Sequence, residues 1–460
     1  MVTQPRLVIA ATRSGDGKTT VATGLMAALR AAGLRVSGHK VGPDYIDPSY
    51  HAAATGRPGR NLDPWLTSEE LIAPLFLHGA EGSDICVIEG VMGLFDGAAG
   101  RGDFASTAHV ARLLGAPIVL VVPAGGAGRS IAATVQGFAA YDPAARVAGV
   151  VFNRVSSVRH EQILREAVAG TGIPVVGALP AEATLHAPAR HLGLIPAAER
   201  SRDVADWLPA LAAMIRDHLD LELLTAIARS APPLTAAAWS APFPRQSTQR
   251  TGITPAARAR VAVASGPAFT FGYAEHDEML EAAGAELVRF DPVSDIALPA
   301  GTDALVVGGG FPELYADDLA ANVTLRADVA RRAATGMPVI AECAGLLWLG
   351  CEVDDRPQCG VLPATARMTA KLTLGYREAT AAASTPLAPA GTVIRAHEFH
   401  RTASLPAHGQ TAAWRLQDGS LQGWATPRLL ASYLHVHWAA LPDAARRLVA
   451  AAQSARAARA

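Results

Sequence analysis

The sequence predicts an α/β protein of two successive domains, each built on a mostly parallel sheet, and three observations carry that expectation. Short β-branched runs alternate with Ala- and Leu-rich helical stretches, a Ser/Thr/Pro/Gln-rich interruption divides them, and 460 residues suffice for two large domains at roughly 100–200 residues each. The first candidate strands are Leu7–Ala10, Val36–His39, Ile85–Ile88, Ile118–Val122 and Val147–Phe152, each bounded by Gly, Pro or Asp. From Ser230 to Ala257 the chain has no sustained period and five prolines, which is how a linker reads. Beyond it, ARVAVAS, AELVRF, DALVVGG and MPVIAEC again read as buried strands, separated by helical segments such as His276–Ala283 and Leu325–Ala334. The expected division is residues 1–229, a linker at 230–257, a second domain at 258–445, and an Ala/Arg-rich tail at 446–460 that forms a fraying helix.

Composition narrows the function classes. Forty Lys and Arg stand against 41 Asp and Glu, a net charge of −1, so no basic face is offered to nucleic acid. Small molecules or another protein are the expected partners, and a homodimer is left open. Cys86, Cys343, Cys351 and Cys359 show neither CxxC spacing nor the density of a disulfide framework, which points to a reducing cytoplasm. The N-terminal apolar run is too short for a signal peptide. The longest apolar stretches, such as Ala116–Ala124, fall well short of the roughly 20 residues that span a bilayer, so a soluble protein without membrane contact is expected.

The first strand runs straight into Thr12-Arg13-Ser14-Gly15-Asp16-Gly17-Lys18-Thr19-Thr20, and an Ala/Leu helical stretch follows to about Arg30. A glycine-bearing turn at a helix N-terminus aims several backbone N–H groups at one place, where the helix dipole favours an anion. The P-loop pattern G-x-x-x-x-G-K-[ST] is met except at its first position, where Thr12 stands. Gly15, Asp16, Gly17, Lys18, Thr19 and Thr20 are therefore read as a nucleotide-binding loop, with Lys18 on the β/γ-phosphates and the Thr19 hydroxyl on Mg²⁺. Asp44, Tyr45 and Asp47 follow the second candidate strand; Glu89 and Asp96 follow the third. In a parallel sheet these strand ends share one edge, so the carboxylates gather beside the loop. Mg²⁺ is then expected on Thr19 with one or two of Asp44, Asp47 and Glu89, the last two preferred. Asn153, after the fifth candidate strand, is placed to read a purine edge.

In the second domain an apolar strand, Pro338–Ala341, leads through Glu342 to Cys343, then Ala344-Gly345 and an apolar helix. This is a strand-to-helix elbow that exposes a nucleophile, with helix N-terminal N–H groups expected to favour the thiolate. Gly308-Gly309-Gly310 ends another strand. The N–H groups of Gly309 and Gly310, with that of Ala344, are the expected oxyanion hole. His435 and His437 are read as lying on the same face of a strand, either able to serve as base. Cys86, Cys351 and Cys359 keep structural readings, and Ala396-His397-Glu398-Phe399-His400 is read as part of a pocket or domain interface.

With these motifs assembled, the chain resembles the cobyrinic acid/hydrogenobyrinic acid a,c-diamide synthase family, the glutamine-dependent amidases of corrin biosynthesis, over nearly its whole length. The resemblance rests on GDGKTT (Gly15–Thr20), VGPDYIDP (Val41–Pro48), EGVMGLFDG (Glu89–Gly97), ARHLGL (Ala189–Leu194), GGGFPE (Gly308–Glu313), AECAG (Ala341–Gly345), LGYRE (Leu374–Glu378), AHEFH (Ala396–His400) and ASYLHVHW (Ala431–Trp438). It implies a P-loop NTPase-like, dethiobiotin-synthetase-like ATP domain followed by a class I glutamine amidotransferase domain of flavodoxin-like α/β form. It also implies that Cys343 attacks the glutamine amide with His435 as its base, and that ATP and Mg²⁺ activate corrinoid acetate carboxylates as acyl phosphates. Asp44, Tyr45, Asp47, Glu89 and Asp96 match the family's synthetase-site positions, with Tyr45 toward substrate.

Many class I amidotransferases carry Glu two residues after the base histidine; here His437 stands there, which favours a Cys/His dyad. Pro123 and His276 also depart from the usual Asp and Asn. The Ala/Arg-rich composition suggests a high-GC source and tilts the substrate toward hydrogenobyrinate over cobyrinate. Cobyric acid synthase is the nearer rival. A partner-binding regulatory P-loop ATPase is the more distant one, and it would need no Cys343 elbow.

Overall fold

The computed structural model describes residues 1–181, 189–190, 193–194, 201–242 and 258–459. They fall into two compact units, Met1–Pro64 with Ser68–Ser240 and Trp65–Thr67 with Ala241–Ala460. Residues 243–257 of the expected linker, His191 and Leu192 of ARHLGL, and Ala460 of the expected tail lie outside the described residues. No helix among the described residues is long and apolar enough to cross a membrane.

In the first unit the strands are β1 (Arg6–Ala11), β2 (Val36–Val41), β3 (Arg60–Leu62), β4 (Ile85–Glu89), β5 (Ile118–Pro123), β6 (Val147–Val155) and β7 (Val175–Pro180), with a short pair β8 (Ala189–Arg190) and β9 (Gly193–Leu194). The helices are α1 (Lys18–Ala31), α2 (Ile46–Thr55), α3 (Glu69–Ala80), α4 (Thr107–Leu114), α5 (Ile131–Tyr141), α6 (Val158–Val168), α7 (Ser201–His218) and α8 (Leu221–Arg229). Among the described residues β1–β7 form one parallel sheet in the order β3-β2-β4-β1-β5-β6-β7. Leu7 and Ile9 of β1, Val87 of β4 and Val119 and Val121 of β5 pack with Val21, Leu25 and Met26 of α1, all fully buried. β1 lies between β4 and β5, so strand order reverses there and leaves a crevice at its carboxyl end. The sequence reading passes over β3 and β7, which makes its third, fourth and fifth strands β4, β5 and β6.

The second unit opens with β10 (Ala259–Ala264), α9 (Ala274–Ala282), β11 (Ala285–Phe290), β12 (Ala304–Val307), α10 (Ala316–Ala321), α11 (Val323–Ala334), β13 (Val339–Glu342) and α12 (Ala344–Leu349). Then come β14 (Glu352–Val353), β15 (Arg356–Pro357), β16 (Thr365–Ala381), β17 (Val393–Leu405), β18 (Trp414–Leu416), β19 (Leu421–Gln422), β20 (Trp424–Thr426), β21 (Leu429–Ser432) and α13 (Ala444–Arg459). One sheet runs β11-β10-β12-β13-β21-β20 and is parallel except for the β20–β21 edge. A second, mostly antiparallel sheet is dominated by the long β16–β17 pair, whose register shifts between Met368 and Thr373.

Two boundary expectations change. The start of the expected linker packs on the first unit, which extends to Ser240. Val2 bridges Leu234, and the Trp239 N–H donates to the Pro74 carbonyl at 2.8 Å. Prolines end regular structure there without ending order, because main-chain bonds hold the segment. The tail also does not fray within the described residues: α13 buries Leu448, Val449, Ala452 and Ala455, and Arg456 and Arg459 reach the buried Asp303. Leu448→Ala should therefore cost about 2–5 kcal/mol, read as a lowered denaturant midpoint for the second unit.

Candidate active site

Two clusters of functional side chains form, one in each unit. In the first, β1 ends at Ala11 and α1 begins at Lys18, so residues 12–17 make the loop. Gly17 caps α1 at φ 98°, and a Cβ there would come within 2.4 Å of the Asn153 side-chain nitrogen, so only glycine fits. The Thr12 hydroxyl and Arg13 N–H donate to the buried Asp16 carboxylate. Asp16 therefore shapes the loop from within.

Asn153 is a brace in this arrangement, a role the sequence reading did not give it. Its Nδ2 donates to the Asp16 carbonyl at 2.8 Å, and its Oδ1 accepts the Arg154 N–H at 2.9 Å. These bonds use one of the two amide hydrogens and one of the two oxygen lone pairs. Lys18 Nζ donates to the Arg13 and Met92 carbonyls at 3.1 and 2.5 Å, and burial, with Lys40 nearby, lowers its pKa. Thr20 is half-buried in the first turn of α1.

Thr19 Oγ1 donates to Glu89 Oε1 at 2.5 Å, which joins the loop to the end of β4. Lys40, near the end of β2, places its ammonium 2.5 Å from Asp47 Oδ2 and 3.0 Å from Glu89 Oε1, and donates to the Gly90 carbonyl. His51 Nε2 lies 2.7 Å from Glu89 Oε2. Burial opposes the charge on Lys40, but Asp47 and Glu89 hold its pKa above the ordinary value. Burial likewise opposes the charge on Glu89, yet Lys40 and His51 keep that carboxylate below its usual range. Asp47 goes the other way, pushed up by burial and by its neighbours Asp44 and Glu89.

Glu89 thus meets Thr19 directly, and Asp47 joins them through Lys40, which it shares with Glu89. Asp44 accepts the Ile46 and Asp47 N–H groups and holds the start of α2, Tyr45 occupies the cap position of that helix, and Asp96 accepts the Gly93 N–H in the turn after β4. Lys40 and His51 are functional residues that sequence reasoning missed. The signal was available for Lys40, since a lysine inside a fully buried strand requires a counter-charge. Among the described residues no group of three His, Cys, Asp or Glu forms a metal cage. The hard oxygen donors of Thr19, Asp47 and Glu89 nevertheless suit Mg²⁺, which is commonly held by one or two carboxylates together with substrate phosphates.

In the second unit Cys343 joins β13 to α12 with φ 49° and ψ −100°, a strained elbow between strand and helix. Its N–H donates to the Ser432 carbonyl at 2.8 Å, and its Sγ lies 3.7 Å from the Phe399 carbonyl. Burial raises the thiol pKa well above the ordinary value, and Glu313 adds to the rise; the Ala344 N–H favours the thiolate without offsetting burial. Desolvation thus opposes the pull that the N-terminus of six-residue α12 exerts toward the thiolate.

His435 and His437 do not sit on a strand. They follow β21 on an extended segment, where His435 exchanges main-chain hydrogen bonds with His397 of β17. Burial, with His397 and His400 nearby, lowers the pKa of His435 to about 3, so its imidazole is neutral near pH 7. Its ring lies over Gly309, where a Cβ would approach His435 Cε1 to 2.6 Å. The Gly345 N–H donates to the Gly308 carbonyl, which draws the glycine run toward the Cys343–Gly345 turn. His437 turns elsewhere, its ring 4.4 Å from that of Tyr273 and its Nε2 3.6 Å from Glu275. The AHEFH segment proves to be β17, whose Phe399 carbonyl faces Cys343. Its Glu398 is held by Arg377, His400 and Gln422.

Comparison with known proteins matches residues 7–195 to the CobQ/CobB/MinD/ParA nucleotide binding domain and residues 260–442 to the CobB/CobQ-like glutamine amidotransferase domain. The hydrogenobyrinate a,c-diamide synthase of Streptomyces coelicolor is 55% identical, with 97% of each chain covered. That of Thermobifida fusca is 52% identical over 98% of each. The chain belongs to the a,c-diamide synthase family. A cobyrinate a,c-diamide synthase of Gloeobacter violaceus is 44% identical over 96% of each chain. The family fixes the general chemistry as that of a glutamine-dependent ligase, with a nucleotide-binding P-loop half and an amidotransferase half.

Lys40→Met strands the buried carboxylates without their counter-ion and should destabilise the first unit by about 3–5 kcal/mol, measured by chemical denaturation. The second unit should respond to acid. Between an ordinary histidine pKa of 6.5 and about 3, unfolded His435 binds a proton that the folded form does not, so stability falls as pH drops through that window. His276, also held down by burial, adds in the same direction. Glu342, pushed up to about 8 by burial, opposes it, losing stability as pH rises from 4.5 toward 8. His435→Asn should then lose less stability than wild type on acidification from pH 7 to 4.

Proposed function

We propose that this enzyme converts the a and c acetate carboxylates of a corrinoid to amides, with glutamine as nitrogen donor and ATP as energy source. The observation that carries the reading is the pairing, on one chain, of the loop joined to Glu89, Lys40 and Asp47 with the Cys343 elbow and neutral His435. The first unit is assigned the synthetase reaction and the second the glutaminase reaction.

Cys343 Sγ attacks the carboxamide carbon of glutamine while His435 takes the thiol proton and passes it to the leaving nitrogen. Ammonia departs, and water then releases glutamate from the thioester. The N–H groups of Gly309, Gly310 and Ala344 are assigned to the oxygen of the tetrahedral intermediate. In the synthetase half the backbone N–H groups of Gly15–Thr20 and the ammonium of Lys18 bind the phosphates of ATP. A corrinoid carboxylate oxygen attacks the γ-phosphorus, ADP leaves, and ammonia displaces phosphate from the acyl phosphate to give the amide. Thr19, Asp47 and Glu89 would hold Mg²⁺, whose chemistry when bound is to neutralise charge on the phosphates. Lys40 keeps Asp47 and Glu89 in place, and Tyr45 and Asp96 are assigned to the substrate side. Two rounds complete the diamide.

Hydrogenobyrinate is favoured as substrate, since relatives bearing that name are 50–55% identical and those named for cobyrinate 42–44%. The free cysteines accord with a cytoplasmic setting. Cys343→Ala should lower glutamine-dependent amidation by about 10³-fold or more while ammonium still supports it, and Lys18→Ala should lose both. Mass spectrometry of hydrogenobyrinate and cobyrinate incubated separately with protein, ATP, Mg²⁺ and glutamine reads chemistry and substrate together. Failure to form an amide on either corrinoid would overturn the proposal.

A further inference from the structure

A histidine that takes a thiol proton at Nε2 must carry its own hydrogen on Nδ1, and a partner at Nδ1 fixes that tautomer. The residue two places after His435 does not supply this partner, because His437 turns toward Tyr273 and Glu275. A carboxyl at this nitrogen comes instead from the residue before the nucleophile. Glu342 ends β13, and its pairing with Ser432 of β21 sets it against the segment carrying His435. Its Oε2 lies 3.8 Å from His435 Nδ1. The residue is only 8% exposed, so burial holds its carboxyl beside that segment.

We infer that Glu342 is the positioning residue for His435: its carboxyl accepts the Nδ1 hydrogen and leaves Nε2 as the acceptor for the Cys343 thiol proton. The inference rests on the glutaminase reading above. The proton leaves Sγ as the sulfur–carbon bond forms, rests on Nε2 and departs with the ammonia, so Glu342 gains and loses nothing over the cycle. One strand thus delivers both the nucleophile and the group that orients its base. Separations of this kind commonly shorten once substrate is bound.

The test is Glu342→Gln, which keeps size and shape. An amide nitrogen turned toward Nδ1 donates where the carboxyl accepted, and so selects the wrong tautomer. Glutaminase kcat should fall about 10²-fold by analogy with other triads, with KM for glutamine changed less than about 2-fold and ammonium-driven amidation unchanged. Alkylation of Cys343 by iodoacetamide should slow in parallel, while exposed Cys351 serves as internal control. Glu342→Asp, which keeps the acid, should recover part of the rate. A Glu342→Gln kcat within about 2-fold of wild type, or an equal loss of ammonium-driven amidation, overturns the positioning role. Retention of glutaminase activity by Cys343→Ala would instead overturn the glutaminase reading itself.

Discussion

Lys40 carries its charge on a strand buried along its whole length, and this is tolerable only because Asp47 and Glu89 meet the ammonium at 2.5 and 3.0 Å. The rest of the first cluster hangs on that contact. Glu89 is placed by Lys40 and His51, Thr19 by Glu89, and the first turn of α1 by Thr19. The phosphate loop and the acidic strand ends are therefore one electrostatic assembly. The order β2-β4-β1 brings its parts to a single sheet edge.

The second cluster follows the opposite rule. Burial raises the Cys343 thiol, lowers His435 and raises Glu342, so it favours the uncharged form of all three. The main-chain bonds between His435 and His397 fix that histidine from the antiparallel sheet, while β13 fixes Cys343 from the parallel one. Two sheets of different kind must pack correctly to bring the proposed base and nucleophile together.

The parallel strands were legible because burial on both faces writes them as short apolar runs bounded by breakers. β3 is three residues long, and β7 contains Gly177, so neither stands out in that pattern. β16 and β17 were illegible for another reason. Their residues are largely polar or half-exposed, which blurs the alternation that marks a strand. Thr19, Asp47, Glu89, Cys343 and His435 could be read from local patterns, since loop and elbow chemistry is written in consecutive residues. Lys40 offered one signal, a charge near the end of a buried strand. His51 and Glu342 could not be placed that way, because each meets a partner distant in sequence or on another strand. The burial that raises the Cys343 thiol was not legible either, because desolvation is a property of the packed fold.

The arginine at the start of β1 bears on how the enzyme can be dissected. Arg6 is fully buried, and its guanidinium donates to the carbonyls of Gln4, Leu114 and Pro232. A synthetase half cut at Arg229 would forfeit the last of these acceptors and the edge contact between Val2 and Leu234. The amino-terminal unit keeps these contacts only if it is severed beyond Ser240, so the proline-bearing passage from Pro232 to Ser240 works as a clasp for the amino terminus.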